Sequence, residues 1–352
     1  PVTRGPKQHF FGYYDQQQLD PAGRLLLALE CAPIHRLQRP EDVATLGRVD
    51  LARDDAWMPL AQTRAWNWQM GCTSLWVGQA GREIVHNDRR EGRLVAVVRD
   101  PDGRERRVLE GPIFTLAPDG RSGLSVNFAR LWRVKPETGY CGVADPWPDE
   151  PAPADDGIFR VDLDTGRTER IVSHADMARL QPISGEPGAL HFFSHAQFNA
   201  DGSRFLFWYR CTHGALQGLY TAKADGTDLR RLAERNSHSA WVGRDKILAW
   251  AWGPDRPHWY LLDDGGGPGE LVGRGLLEHN AHASFSPDGR WLLLDKRAPQ
   301  TSGGELLLAD LPGRRCLRIA RFGHDERMAG PLRCDLHPRW SRDGRGVCVD
   351  AV

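Results

Sequence analysis

A tight turn followed by a β-rich run recurs along nearly the whole chain, and no other feature of the sequence restricts its fold as strongly. The runs are DPAGRLLLAL with Gly23, GQAGREIVHN with Gly81, APDGRSGLSV with Gly120, NADGSRFLFW with Gly202, VGRDKILAWA around Asp245, SPDGRWLLLD with Gly289 and SRDGRGVCVD with Gly344. Asp-Gly between apolar runs signals a hairpin, because glycine supplies the positive φ that a short turn needs. Second turns of the same kind follow, in VDLDTGRTERI at Gly166, TAKADGTDLRRL at Gly226 and LLADLPGRRCLRI at Gly313. Two hairpins in each repeat of roughly 40 to 55 residues describe a four-stranded antiparallel blade. The expected fold is all-β, a seven-bladed β-propeller around a central channel, with residues 1–352 forming one domain.

Two places depart from the repeat. The interval from Gly120 to Gly202 is about double the others, and its surplus at about 133–156, RVKPETGYCGVADPWPDEPAPADD, reads as a Pro-rich, acidic loop projecting from one blade. The seventh repeat has no outer strands of its own, and the N-terminal HFFGYYD is a candidate to supply one. Helix signals are sparse; RPEDVATLG, Arg39 to Gly47, is the best of them.

With 46 Lys+Arg against 46 Asp+Glu, the chain has no general attraction for a polyanion, so nucleic acid is not an expected partner. No window approaches the roughly 18 apolar residues of a membrane span. The seven cysteines (31, 72, 141, 211, 316, 334 and 348) are odd in number and form no CxxC pair, which argues against a disulfide framework and favours a reducing compartment. No signal peptide is visible, so a cytoplasmic location is favoured, with a periplasmic or secreted one open if a leader was trimmed. Nothing indicates an oligomer, and a monomer is expected.

Blade register turns spacing into geometry. Residues equally far before the first turn of each blade occupy equivalent places around the channel. His195, His282 and His337 each lie seven residues before their turn glycine, and His238 lies seven before Asp245. Four consecutive blades thus aim an imidazole at one end of the channel, whereas Gln16, Ser74 and Ile113 hold that place in the first three. A single such histidine reads as an inner-strand residue bonded to neighbouring backbone. Four converging ones would repel when protonated, and a bound cation makes neutral imidazoles useful as ligands. Cys334 stands three residues before His337, and a thiolate with imidazoles suits Zn²⁺. The candidate metal ligands are His238, His282, Cys334 and His337, with His195 left free.

The hairpin HAQFNADGSRFLFWYR brings the start of one strand beside the end of the next, which places His195 near Tyr209 and Arg210 as a candidate reaction centre. A second cluster, WNWQMGCTSLWV with IVHND, carries Gln69 and His86; its tryptophans read as packing between blades ahead of a sugar-binding surface.

HFFGYYD, SHAQFNADG, SHSAWVG, NAHASFSPDGRWLLLD and CDLHPRWSRDG together resemble the seven-bladed propeller polysaccharide lyases, the group that includes oligogalacturonate lyase and the ulvan lyases. The resemblance is patchy but spans most of the chain. It implies that His238, His282 and His337 match the substrate-facing and metal-binding histidines, while Cys334 and Arg339 replace a Gln and a His of that pattern. Those replacements favour Zn²⁺ over Mn²⁺ or Ca²⁺. It further implies Arg210 as the arginine that neutralises a substrate carboxylate and His86 as a catalytic histidine.

β-Elimination at a uronic acid needs a cation or strong donors on the carboxylate, a base at C5 and an acid at the leaving O4. Arg210 suits the first role; His195 or His86 suits the base, with the other or Tyr209 as the proton donor. The leading expectation is a lyase acting on a uronate-containing oligo- or polysaccharide. Two alternatives stand beside it: a non-catalytic, TolB-like or glycan-binding propeller with a structural zinc, and a metal-dependent hydrolase, which would require an open coordination position.

Overall fold

The computed structural model describes residues 1–180, 188–213, 217–253, 256–297, 303–323 and 325–351. Six four-stranded antiparallel sheets follow one another along the chain, each with its strands in sequence order. The first strands of successive sheets lie against one another, from Thr115–Leu116 through His191–Phe198, Asn236–Val242 and Ala283–Phe285 to Arg339–Trp340, so they surround the centre.

The turns form as the repeats imply. Gly23, Gly81, Gly120, Gly202, Gly289 and Gly344 all take φ between 55° and 72°. In the fifth blade the left-handed residue is Gly243 and not Asp245, because Val242 pairs directly with Lys246 across a three-residue loop.

The blade count differs from the expected seven: six four-stranded blades form. Among the described residues the seventh repeat contributes only the pair Arg339–Trp340 and Val347–Cys348. HFFGYYD does not complete it. Gln8–Phe10 pairs with Leu25–Cys31 of the first blade, where Glu30 binds both Lys7 and His9 and Phe10 packs on Trp66 and Trp68.

Arg39–Gly47 is not a helix. Asp42 accepts from the Arg39 N–H and from the Arg36 guanidinium, which makes a turn, and Ala44–Asp50 then joins the first blade as a strand. The two described α-helices lie elsewhere, at Phe128–Val134 and His174–Leu180. The first opens the 133–156 segment: Asn127 caps it, and Arg130 ties it down by donating to the Trp147, Glu150 and His191 carbonyls. No described helix is long and apolar enough to cross a membrane.

Candidate functional site

The inner strands break at the histidines. Ladder register slips between Ser194 and Gln197 and between Asn236 and Ser239, bulges that turn His195 and His238 out of the alternating pattern. His282 and His337 sit just ahead of their strands, Ala283–Phe285 and Arg339–Trp340. His195 and His337 also adopt φ of 55° and 43°, a left-handed conformation that costs a non-glycine residue of order 1 kcal/mol.

Three of the four imidazoles form a chain: ring centroids are 4.4 Å apart for His238 and His282 and 4.5 Å for His282 and His337. Tyr13 links the fourth. Its ring lies 4.8 Å from His337 and 5.5 Å from His282, and its hydroxyl is 3.0 Å from His195 Nε2. Tyr13 comes from a segment between Phe10 and Gln18 that fills the channel, pinned by Arg339, which donates to the carbonyls of Gly12, Gln16 and His337. Arg339 is therefore a fastener of the channel segment.

Burial is the main reason that the proton affinities of His195, His238 and His337 fall well below the ordinary imidazole range, with neighbouring cations and imidazoles adding to it. All three are neutral at neutral pH. For His238 the tautomer follows from its neighbours: Asn280 Nδ2 donates to Ser237 Oγ, so Asn280 Oδ1, 2.7 Å from His238 Nδ1, accepts a hydrogen bond from the Nδ1–H. The lone pair of His238 is then on Nε2. His195 has both ring nitrogens engaged, with Tyr13 and with Ser194 Oγ at 3.0 Å.

Among the described residues, one group brings three ligand atoms within 4.8 Å of one another: His282, Asp335 and His337. It fits a divalent cation. His282 Nδ1 is held by Asp295 at 2.8 Å, which leaves Nε2 for a metal, and His337 Nε2 is buried without a partner. Asp335 is ionised: burial opposes its charge, but His282, Arg333, His337 and Arg297 together hold its carboxyl well below the usual range. Arg297 and Arg333 orient its two oxygens at 2.5 and 2.8 Å. Cys334, expected as a ligand, is outside this group. Its thiol faces the Asp335 carbonyl at 3.9 Å, and burial raises its pKa well above the ordinary value.

A cavity of about 970 Å³ opens over the cluster, lined by His238, His282, Asp335, Cys334, Glu137 and Arg333 among others. Arg210, which is not one of the lining residues, lies 4.0 Å over the Trp208 indole, whose ring also stacks on His195 with centroids 3.5 Å apart. Its Nη2 donates to the Asn236 carbonyl, and its Nε is enclosed without a partner. No carboxylate among the described residues lies within ion-pair distance of it. Burial lowers its pKa to about 10, so it stays charged at neutral pH.

Two expected catalytic residues lie elsewhere. Tyr209 projects from the strand face opposite Trp208 and Arg210, into the core, where it bonds His174 at 2.9 Å and packs on Phe193. His86 is wholly buried in the second blade, bonded to the Asn87 carbonyl and to Arg99 Nε at 3.0 Å, and burial with Arg99 lowers its pKa to about 4. The nearby Trp66 and Trp68 pack against Phe10 and each other.

No family model matches the sequence, and no curated protein does. Solved structures do. An oligogalacturonate lyase from Vibrio parahaemolyticus aligns with a TM-score of 0.65 at 14% identity, covering 98% of this chain and 88% of that one. The fold is a β-propeller. An oligogalacturonate lyase in complex with manganese aligns with a TM-score of 0.66 at 15% identity, over 98% of this chain and 87% of that one. TolB from Acinetobacter baumannii aligns more loosely, with a TM-score of 0.45 at 17% identity over 84% of this chain and 63% of that one.

Proposed function

We propose that the protein is a lyase that cleaves a uronate-containing glycan by β-elimination in the cavity above the histidine cluster. The observation that carries this reading is Arg210: a charged guanidinium with an enclosed, unpartnered Nε and no carboxylate of the protein nearby, set beside neutral imidazoles. An anionic ligand supplies what it lacks. Its fork binds a carboxylate in two places and stabilises the enolate that develops when C5 loses its proton. His238 Nε2 is the base, since its lone pair is free and it lines the cavity. The C5 proton passes to that nitrogen, the C4–O4 bond breaks as the C4–C5 double bond forms, and the departing oxygen takes a proton from solvent.

His282, His337 and Asp335 would hold a divalent cation, which when bound supplies a Lewis acid for an anionic sugar oxygen. Two imidazoles and a carboxylate suit Zn²⁺ or Mn²⁺; the preference for zinc drawn from Cys334 loses its basis with the thiol outside the group. The solved lyase with manganese is consistent with such an ion in a fold of this kind. A second reading, a glycan-binding propeller with a structural metal, draws on Asp335, whose two oxygens are both clamped by arginines as in a fixed fastening.

Incubation of the metal-analysed protein with pectic, ulvan-type, glycosaminoglycan and bacterial uronate glycans tests this. A rise in the ultraviolet absorbance of an unsaturated uronate, lost in Arg210→Ala, establishes elimination. No rise on any of them, with metal still bound, turns the assignment to the binding propeller.

A further inference from the structure

A second cavity lies where the inner strands run into their turns, and it shares no lining residue with the one over the histidines. Its volume is about 620 Å³, within the roughly 300 to 1,000 Å³ usual for small-ligand sites. Trp241, Phe285 and Trp340 line it, each three residues after a histidine of the cluster, His238, His282 and His337. Three consecutive blades thus place a half-buried ring at the same level of the channel. Both indoles are fixed: Trp241 Nε1 donates to the Gln197 carbonyl at 3.0 Å and Trp340 Nε1 to the Ser284 carbonyl at 3.2 Å. With those donors taken up, the indoles leave a ligand only apolar ring surface.

The polar lining, by contrast, has donors and acceptors to spare. Asp15 Oδ1 is enclosed without a hydrogen-bond partner, and no cation among the described residues is within ion-pair distance of the carboxylate. Burial raises its pKa to about 6, so it remains ionised at neutral pH. Gln16, only 5% exposed, has an enclosed Oε1 that is also unpartnered. Arg342 donates through Nε to the Leu19 carbonyl at 3.4 Å, and no carboxylate among the described residues pairs with it. The charges of the lining nonetheless cancel, Asp15 and Asp288 against Arg339 and Arg342. A net charge on the ligand therefore gains nothing, whereas hydroxyls can donate to the Asp15 and Gln16 oxygens and accept from Arg342. We propose that this cavity binds a neutral sugar unit, with its C–H face against the aromatic rings and its hydroxyls on Asp15, Gln16 and Arg342. The site is separate from the elimination site and does not rest on the lyase reading.

Calorimetric titration of the full chain with the methyl glycosides of D-galactose, D-glucose, D-xylose and L-rhamnose tests this without turnover. At least one should bind, and saturation-transfer NMR should show its C–H groups against aromatic protons of the protein. Asp15→Asn replaces a charged acceptor by a neutral one and should weaken that binding roughly tenfold or more. It removes an unpaired buried charge, so it is expected to fold as the parent does. Phe285→Leu keeps the apolar bulk without the ring and should weaken binding by roughly three- to tenfold. Arg210→Gln should bind as the parent, which assigns the sugar to this cavity. No binding of any of the four glycosides, unchanged affinity in Asp15→Asn, or a loss confined to Arg210→Gln overturns the proposal, even if the protein proves to be a lyase. Binding that depends on Asp15, without elimination of any glycan, upholds it while the lyase reading fails.

Discussion

Asp295 holds His282 twice: one carboxylate oxygen is 2.8 Å from the ring Nδ1, and the other accepts the His282 backbone N–H, also at 2.8 Å. The two bonds fix both the tautomer and the position of the imidazole before any ligand arrives. Partners of this kind raise ligand basicity, and their loss typically costs about ten- to a hundredfold in metal affinity. Asp295→Asn is therefore expected to weaken metal binding by that factor, and Asp335→Asn to weaken it at least as much. Cys334→Ser should bind as the parent does. Competition of each protein with a chromophoric chelator measures this; equal affinities throughout would remove the metal site.

Arg210→Gln separates catalysis from folding. If the guanidinium stabilises a developing enolate, its loss should lower kcat/KM by roughly a hundred- to a thousandfold, as for a donor removed from an oxyanion site. Stability should not fall with it. An enclosed cation without a counter-ion carries an uncompensated desolvation cost, so the neutral amide is expected to match or exceed the parent melting temperature. A marked drop in melting temperature would show that Arg210 serves the fold.

The part of the fold legible in the sequence is the part set by local chemistry. Glycine turns dictate the hairpins, and equal spacing from those turns brought the four histidines together. Asp335 was not legible: it lies in a stretch without strand pairing ahead of Arg339–Trp340, and His337 takes a left-handed φ of 43°, so no alternation of side chains assigns the two to one face. Alternation along the paired strand Arg204–Cys211 does separate Tyr209 from Arg210. Other contributions depend on how distant segments settle. Tyr13 belongs to a stretch outside the repeat. The blade count went astray because pairing of Gln8–Phe10 is decided by Glu30 and the Trp66–Trp68 pair, not by the repeat.

His86 gives the protein an acid-sensitive element away from the cavity. Its pKa falls from 6.5 to about 4 on folding, so between these values the unfolded chain binds a proton that the native ring excludes. Its contribution is present above pH 6.5 and is lost as pH falls toward about 4. The full shift corresponds to roughly 3 kcal/mol. His86→Gln removes the titration, so the stability difference between parent and variant should shrink on acidification through this window. Urea unfolding of both proteins at neutral pH and at the acid end measures it; a pH-independent difference would exclude this role.

Tyr13 reaches His195 only because Gly12 lets the channel segment bend. Gly12 takes φ of 108°, and a Cβ there would meet the Met70 carbonyl oxygen at 2.9 Å and Gln16 Oε1 at 3.1 Å. Gly12→Ala must move either its own backbone or that of Met70, and it is expected to destabilise by about 1–3 kcal/mol. Because Tyr13 follows directly, the hydroxyl should also leave His195, and turnover should fall together with stability. Tyr13→Phe isolates the second effect. It keeps the ring against His282 and His337 but removes the 3.0 Å bond, leaving the buried His195 Nε2 without a partner at a cost of about 1–3 kcal/mol. If the Tyr13–His195 pair positions the reacting groups, Tyr13→Phe lowers kcat by roughly ten- to a hundredfold with KM little changed. A variant that loses stability yet keeps the parent kcat would assign Tyr13 to the packing of the channel and take the pair out of the chemistry.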